Sequence, residues 1–147
     1  METNEIVIPG SQLKKLFAKK YEPIIEKYDL RPVEIDILVF LYKQKNADTA
    51  KDIIQRKHLS KAHVSKSVDN LRERGFIKIT EDEEDRRILH ICLTEESDDV
   101  VEMALSALKE CRDIMQSGVS REDIETTKRV LHIMAENISK ELEYIRG

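Results

Sequence analysis

The chain has 147 residues, of which 37% are charged and 40% hydrophobic, and this composition suits one folded domain rather than a multidomain enzyme. Four glycines and three prolines leave little material for a turn-rich β-sandwich, so we expect a mainly α-helical protein. The formal net charge of −4 argues against a uniform affinity for nucleic acid. The longest apolar run, residues 37–42, is far shorter than the roughly 20 residues of a membrane-spanning helix. We therefore expect a soluble, cytoplasmic protein with no membrane partner.

Charge is distributed unevenly along the chain. Residues 51–78 contain eight basic and three acidic residues, whereas residues 79–85 contain five acidic and no basic residues. Arg86 and Arg87 follow directly, and residues 94–147 contain thirteen acidic and seven basic residues. Because a polyanion responds to the local field, a basic middle segment can bind nucleic acid in a protein that is acidic overall. The same pattern also fits a solvated helical surface.

Two helices are predicted before Asn46. Residues 6–10 form a short arm, and Ser11 can cap a first helix that Pro23 kinks or divides into two pieces. Pro32 lies where a first-turn proline belongs and begins a second helix. Their apolar positions are Leu13, Leu16, Phe17, Ile24 and Tyr28, then Val33, Ile37, Leu38 and Leu41.

The most informative segment runs from Thr49 to Gly75. Thr49 and Asp52 form a capping-box-like start for a short third helix that ends near His58, and Ser60 caps a fourth helix. The fourth helix has an apolar face, Val64, Val68 and Leu71, and an outward group near its N-terminus, Lys61, Ala62, His63, Ser65 and Lys66. Two helices joined by a short turn, the second supported from behind and polar outside, form a helix-turn-helix that can enter the major groove. A solvated helix hairpin is the alternative.

A β-hairpin with a long loop is predicted next. Residues 76–79 and 88–93 are apolar and rich in β-branched side chains, and the polar residues 80–87 separate them. Because residues 81–84 are all acidic, Arg86 and Arg87 would have to supply this loop's attraction for DNA. We interpret the hairpin as a wing.

The last 54 residues predict two long helices. Thr94, with two glutamates after it, caps the first, which Gly118 ends, and Ser120 with Asp123 begins the second. The core positions predicted for the first are Val101, Leu105, Leu108 and Met115. In the second, steps of three and four residues connect Ile124, Thr127, Leu131, Met134, Ile138, Leu142 and Ile145. This near-heptad seam predicts a dimer interface.

Five short motifs, in their order and spacing, resemble the MarR (multiple antibiotic resistance regulator) family of winged-helix transcription regulators. They are Leu-Arg-Pro at 30–32, Thr-Ala-Lys-Asp-Ile-Ile at 49–54, Leu-Arg-Glu-Arg-Gly-Phe-Ile at 71–77, Asp-Arg-Arg at 85–87 and Leu-Thr-Glu at 93–95. The resemblance extends over about residues 13–145. Three positions depart from the family pattern: Arg31 replaces a capping threonine, Ile79 a basic residue before the wing, and Ser97 a glycine. Ile79 puts in doubt a salt bridge to Asp85 inside the wing.

The resemblance implies one MarR-like domain over residues 1–147, mainly α (α+β), with a winged helix-turn-helix lobe at 30–93 and dimerisation helices at 11–29 and 94–147. It implies a homodimeric repressor that binds a palindromic operator in double-stranded DNA through the recognition helix 60–74 and the wing 80–88. The DNA-binding residues expected are Thr49, Lys51, Ser60, Lys61, Ala62, His63, Ser65, Lys66, Asn70, Asp85, Arg86 and Arg87, with Arg86 in the minor groove and Asp85 orienting the wing arginines. The dimerisation residues expected are Leu13, Leu16, Phe17, Leu131, Met134, Ile138, Leu142 and Ile145.

Other kinds of site receive less support from the sequence. The histidines, His58, His63, His90 and His132, are scattered, so we expect surface or core residues and neither a metal site nor a cofactor. Cys92 and Cys111 fit reduced structural cysteines, because oxidant-sensing relatives carry their reactive cysteine in the first helix, where this chain has none.

Two questions stay open. Tyr21 and Tyr28 either line a pocket for a small-molecule effector or belong to the core. A winged-helix module that binds protein instead of DNA is the alternative function. An enzyme is not expected, because the sequence offers no nucleophile with a matching base and no glycine-rich phosphate loop.

Overall fold

The computed structural model describes residues 10–146, and side chains up to Tyr144, so the predicted arm lies outside the described residues except for Gly10. The described chain forms six α-helices and one two-stranded sheet. In chain order the elements are α1 (Gly10–Tyr28), α2 (Pro32–Lys43), α3 (Ala50–Lys57), α4 (Lys61–Glu73), β1 (Ile77–Glu81), β2 (Leu89–Leu93), a short 3-10 helix (Glu95–Ser97), α5 (Asp98–Gln116) and α6 (Arg121–Arg146). This confirms the predicted fold class, a mainly α winged helix-turn-helix. Two compact units make up the chain, one ending at Cys111 and one beginning at Arg112.

The helix-turn-helix begins and ends at its predicted caps. Thr49 Oγ1 accepts a hydrogen bond from the backbone N–H of Asp52, and Asp52 Oδ2 accepts one from that of Thr49, each 3.2 Å long. Ser60 Oγ accepts the N–H of His63 at 3.1 Å and so satisfies a free donor at the start of α4. Gly75 follows α4 with a φ of +81°, a left-handed conformation that costs glycine little.

The core of the first unit supports α4 from behind. Val64, Val68 and Leu71 are buried as predicted, together with Ile53 of α3. Each such side chain contributes roughly 1.5 to 3 kcal/mol when it is removed from water. The rest of the core comes mostly from α2, with contributions from α1, the sheet and α5.

The two strands form an antiparallel hairpin in which Ile77 pairs with Leu93 and Glu81 with Leu89. Side chains alternate between the two faces of the hairpin. Ile77 and Ile91 are buried in the core, whereas Thr80 and its partner His90 occupy the opposite face. The backbone N–H of Ile91 also donates to the carbonyl of Asp48 at 2.8 Å, which attaches β2 to the segment before α3.

The structure corrects two expectations for α1. Ser11 lies inside the helix rather than at its cap, and Pro23 does not divide α1 into two pieces, because the helix continues through it. Pro23 is on the exposed side, where water can satisfy the carbonyl that loses its donor, while Tyr21 and Ile24 anchor the helix in the core.

The start of α5 also differs from its prediction. Thr94 makes no capping bond; its hydroxyl donates to the carbonyl of Gly75 at 2.5 Å, and a 3-10 turn precedes α5. The buried face of α5 consists of Val100, Val101, Ala104, Ala107 and Cys111. Val101 was predicted correctly, whereas Leu105 and Leu108 are half-buried and Met115 is 43% exposed. The side chains on this buried face are small, so α5 packs closely against the core. A prediction based on large apolar residues therefore misses most of this face.

The second unit is dominated by α6, whose start is capped as predicted. Ser120 Oγ accepts the backbone N–H of Asp123 at 3.1 Å. Four apolar residues of the predicted seam are exposed in the single chain, namely Leu131 58%, Met134 46%, Ile138 61% and Leu142 53%, whereas Ile124 is half-buried. The side chain of Ile145 lies outside the described residues. Among the helices described, none is both long and apolar enough to cross a membrane.

Candidate nucleic-acid interface

The N-terminal half of α4 presents its polar side chains to solvent. Lys61, Ala62, His63, Ser65 and Lys66 are all exposed, while the opposite side of the helix is buried. The first turn holds no acidic residue, so the lysines and the positive end of the helix dipole act together. Asp69 and Glu73 are exposed in the second half of α4, which limits the attraction for phosphate to its first two turns.

Some residues that were predicted to contact DNA form side-chain hydrogen bonds inside the protein instead. The Thr49 hydroxyl donates to Asp52 Oδ2 at 2.8 Å, and the Asn70 amide donates to Glu34 Oε2. Ser60 uses one lone pair on α4 and keeps its hydroxyl hydrogen, while Lys51 is exposed. Lys51 and Ser60 therefore remain available to a ligand, whereas Thr49 and Asn70 shape the surface from within.

Glu34 is a buried carboxylate that sequence reasoning missed. It is 1% exposed, and its Oε1 accepts the backbone N–H and the Nε–H of Arg31, at 2.9 and 3.2 Å. Burial opposes its ionisation, but the hydrogen bonds from Asn70 and Arg31 outweigh that effect and lower the pKa of Glu34. The positive charge of Arg31, which departs from the family pattern, is thus paired with the carboxylate of Glu34. The hydrogen bonds that Glu34 accepts from Arg31 and Asn70 connect α2 to α4.

The two wing arginines differ in their surroundings. Arg87 donates from Nε and Nη2 to the two oxygens of Asp85, at 3.1 and 3.2 Å, and these bonds lower the pKa of Asp85. Arg86 is exposed and makes no hydrogen bond to any residue that the structure describes. Asp85 therefore orients Arg87 and leaves the guanidinium of Arg86 free for a ligand. Ile79 packs against the core, so Asp85 takes its partner from the wing itself.

The wing loop is organised by Asp82. Its Oδ2 accepts the backbone N–H groups of Glu84 and Asp85, at 3.1 and 3.0 Å, and its own N–H donates to the carbonyl of Ile88 at 2.9 Å. An acidic residue expected only to repel DNA thus builds the turn that carries Arg86.

His90 connects this turn to the helix-turn-helix. Its Nδ1 lies 2.7 Å from Asp48 Oδ1, and its Nε2 lies 2.8 Å from Asp82 Oδ1. Hydrogen bonds to Asp48 and Asp82 raise the pKa of His90, and the bond from His90 lowers the pKa of Asp82. Sequence reasoning missed this cluster because its members lie far apart along the chain; strand alternation could only place His90 on the outer face. Within the described residues, no group of histidine, cysteine and carboxylate side chains is arranged to hold a metal ion.

Arg74 belongs to the basic segment but acts inside the fold. Its guanidinium donates to the carbonyls of Asp29 and Tyr28, the former at 2.6 Å, and lies 5.3 Å from the centre of the Phe76 ring. It therefore fixes the end of α1 to the end of α4 and adds little to the charge offered to DNA.

A cavity of about 640 Å³ lies among α1, α2, the end of α3 and α5 in the first unit. Its apolar and aromatic lining includes Phe17, Tyr21, Val39, Phe40 and Leu108, and its charged lining includes Lys14, Asp36, Lys43 and Lys57. The Tyr21 hydroxyl donates to Asp36 Oδ1 at 3.0 Å, and burial raises the pKa of both groups. Tyr28 instead donates to Asp99 and packs edge-on against Phe76, so of the two candidate tyrosines only Tyr21 lines this cavity.

A helix-turn-helix with an exposed polar second helix, followed by a two-stranded wing with a free arginine, is the architecture typical of winged-helix DNA-binding proteins. The family comparison agrees, because residues 28–88 match the model of the MarR family. This segment holds the helix-turn-helix and the wing, and its match to the family model confirms the resemblance inferred from the motifs. A sequence comparison with curated proteins gave no match.

Solved structures share the fold over most of the chain. The S. aureus MepR-DNA complex is 23% identical, covers 93% of this chain and 98% of its own, and has a TM-score of 0.73. A MarR family transcriptional regulator from Listeria monocytogenes, complexed with 26mer DNA, is 14% identical, covers 99% and 94%, and has a TM-score of 0.82. CouR from Rhodococcus jostii, bound to p-coumaroyl-CoA, is 22% identical, covers 86% and 85%, and has a TM-score of 0.72.

Proposed function

We propose that this protein is a transcriptional regulator that binds double-stranded DNA in a sequence-specific manner, as a homodimeric repressor of a palindromic operator. The observation that carries the proposal is the exposed group Lys61, Ala62, His63, Ser65 and Lys66 on a helix whose opposite face is fixed in the core. A helix supported in this way fits the major groove, where lysine can meet guanine or phosphate, and serine and histidine can hydrogen-bond base edges. The MepR and Listeria regulator complexes with DNA support the assignment.

The wing supplies the second contact in this proposal. Arg86 is the exposed guanidinium at the loop, and a narrow A·T-rich minor groove concentrates negative potential that favours an inserted arginine. Arg87 is turned toward Asp85, so it contributes less charge to the DNA surface.

Dimerisation explains the exposed apolar seam of α6. Leu131, Met134, Ile138 and Leu142 follow one another at steps of three and four residues, and their side chains are about half exposed or more. A contiguous apolar stripe of this length is typical of a partner interface, and a second copy of the chain presents the same stripe. Leu13, Leu16 and Phe17, half-buried on α1, are the further residues that we assign to the interface.

The cavity beside Tyr21 is the proposed effector site. An apolar and aromatic lining with three lysines suits a small ligand that has an aromatic body and an anionic group. CouR, whose structure contains p-coumaroyl-CoA, supports this assignment. Isothermal titration with aromatic carboxylates should give saturable binding that Lys43→Ala weakens, and absence of binding across such a panel would contradict it.

The alternative, a module that binds protein instead of DNA, lacks a supporting observation. The outer face of α4 would then be apolar or acidic, whereas its first two turns are polar and basic.

The experiment that tests the proposed function is selection of duplexes from a random DNA pool, followed by anisotropy titrations of the enriched duplex and a scrambled duplex at two salt concentrations. We expect an inverted repeat with half-sites about 10 base pairs apart, bound at least 10³-fold more tightly than the scrambled duplex. Failure to enrich any sequence, with equal affinity for both duplexes, would contradict it.

A further inference from the structure

We propose that His90 is the positioning residue of the wing: its protonated ring joins Asp48, ahead of α3, to Asp82, at the base of the wing loop, and thereby holds Arg86 at its DNA contact. The inference rests on the proposed function. His90 lies outside the proposed DNA-contacting surface, and the protonation of its ring determines how much the wing contributes to DNA binding.

The ring of His90 lies between two carboxylates. Both nitrogens of His90 lie within hydrogen-bond distance of a carboxylate oxygen, 2.7 Å to Asp48 and 2.8 Å to Asp82. A neutral imidazole has one N–H and one lone pair, so it can donate to only one of these oxygens. Only the imidazolium donates to both, and in the neutral ring a lone pair would face an anionic oxygen.

Asp82 connects the ring of His90 to the wing loop. Asp82 receives His90 on Oδ1, while its Oδ2 holds the N–H groups of Glu84 and Asp85. Asp85 in turn binds Arg87, and Arg86 lies between the two. The side chain of His90 therefore anchors, through one carboxylate, the turn on which the free arginine is carried.

Asp48 connects the ring of His90 to the helix-turn-helix. Asp48 directly precedes Thr49, the cap of α3, and its carbonyl accepts the N–H of Ile91 at 2.8 Å. The segment before α3 thus binds β2 through both backbone and side chain. When the ring loses its proton, one of the two carboxylate bonds is lost, so the loop and the helix-turn-helix are no longer joined through His90.

The charged groups that face the ring are few among the described residues. Asp48 comes from the segment before α3 and Asp82 from the wing loop, while β1 places the uncharged Thr80 opposite His90. Lys78 lies two residues along the same face of β1, with an exposed side chain. The two carboxylates therefore dominate, in agreement with the raised pKa of His90.

The raised pKa of His90 determines how DNA binding should change with pH. Because the folded-state pKa of His90 is raised, both hydrogen bonds from its ring are present below the ordinary histidine pKa, and one is lost as the pH rises through the higher folded-state value. Specific DNA binding should therefore weaken as the pH rises through the folded-state pKa of His90. His63 is a second histidine, on the exposed face of α4, so its contribution must be separated by variation.

The test is a double-mutant cycle on the enriched duplex, with affinities measured at constant ionic strength from about pH 5.5 to 8.5, the range in which histidine titrates. The variants are His90→Gln, Arg86→Ala and the double variant, all in a His63→Gln background, with His132→Gln, an exposed histidine of α6, as the matched control. At low pH, His90→Gln should weaken binding about tenfold, as expected for loss of a charge-assisted hydrogen bond, and should flatten the pH profile. In the Arg86→Ala background the same substitution should have little further effect.

If His90 affected DNA binding only through its charge and did not position the wing, the losses of binding free energy caused by His90→Gln and Arg86→Ala would be additive. This outcome would overturn the inference. Asp82→Asn separates the two explanations again, because removing a negative charge should tighten DNA binding, whereas loss of the anchor should weaken it and uncouple Arg86.

An NMR titration of the wild-type protein tests the inference even if His90→Gln does not fold. A pKa of the His90 ring equal to that of an exposed histidine would overturn the inference. If the wild-type protein binds no duplex sequence-specifically at any pH, the proposed function fails; if it binds and the cycle is additive, only the role of His90 fails.

Discussion

At the scale of single residues, adjacent side chains of the same type have different surroundings. Arg87 is held by Asp85, whereas Arg86 is free of hydrogen bonds to the described residues. Five acidic residues precede them, so each free positive charge in the wing matters to its attraction for phosphate.

Arg86→Ala should therefore weaken both specific and non-specific binding, and the log-log salt slope should shrink by about 1 if one phosphate contact is lost. Replacing Glu83 and Glu84 by Gln should tighten non-specific binding, because repulsion is removed. Affinity measured against salt concentration on one duplex checks both changes, with Arg129→Ala on α6 as the control arginine. An affinity and slope unaffected by Arg86→Ala would show that the wing does not contact DNA.

Glu34 is a second residue whose surroundings decide its role. Glu34→Gln should destabilise the fold by about 1 to 3 kcal/mol, because the new amide group faces the N–H donors of Asn70. Since the folded-state pKa is lowered, the stabilisation is complete above the ordinary glutamate pKa of about 4.3 and is lost as the pH falls through the lower folded-state value.

Urea unfolding at pH 7 and at pH 3 measures this contribution. Wild type and Glu34→Gln should differ clearly at pH 7 and much less at pH 3, and an equal difference at both would contradict the assignment. Glu22→Gln, an exposed glutamate of α1, is the matched control and should change neither midpoint.

At the scale of elements, α4 has two faces with separate functions. Ser65→Ala should cost about 1 to 3 kcal/mol of binding on the specific site, or change the preferred sequence, while the fold is retained. Val64→Asp, one position away, should unfold the lobe because it buries an unpaired charge. Thermal unfolding together with anisotropy titrations distinguishes the two outcomes, and a folded Val64→Asp variant would show that the core does not support α4 as described.

Local patterns explain why so much of the fold was predictable. Thr49, Ser60 and Gly75 mark helix ends by interactions within three or four residues, and the spacing of Val64, Val68 and Leu71 fixes which face of α4 is buried. Thr94 resembles such a cap in sequence, yet its hydroxyl bonds the carbonyl of Gly75, nineteen residues away in the chain. That choice depends on packing between distant segments, which no local pattern contains.

The candidate site divides in the same way. The exposed residues of α4 and Arg86 follow from periodicity and motif, so the sequence could indicate them. The pairing of Asn70 with Glu34 and of His90 with Asp48 and Asp82 depends on how α2, α4 and β2 meet. Sequence reasoning therefore indicated the exposed surface that we propose for DNA binding, but it missed the residues that hold this surface in place.

At the scale of the whole molecule, the exposed seam of α6 requires a partner in our account. Sedimentation equilibrium at micromolar concentration should give two chains, and Leu131→Glu combined with Ile138→Glu should give one, because charges would replace apolar contacts. Glu125→Lys with Glu141→Lys, two exposed changes on the same helix, is a control expected to remain dimeric. A wild-type monomer that still binds an inverted repeat tightly would contradict the dimer model.

The central claim is that the N-terminal half of α4 recognises the base sequence. The most direct measurement is the ratio of affinities for the enriched and scrambled duplexes, compared between wild type and the triple variant Ser65→Ala, His63→Ala, Lys66→Ala. We predict that the triple variant stays folded and that its ratio falls at least tenfold, as expected when base contacts are removed. A ratio and a preferred sequence equal to those of the wild type would contradict the claim, because another surface would then be responsible for specificity.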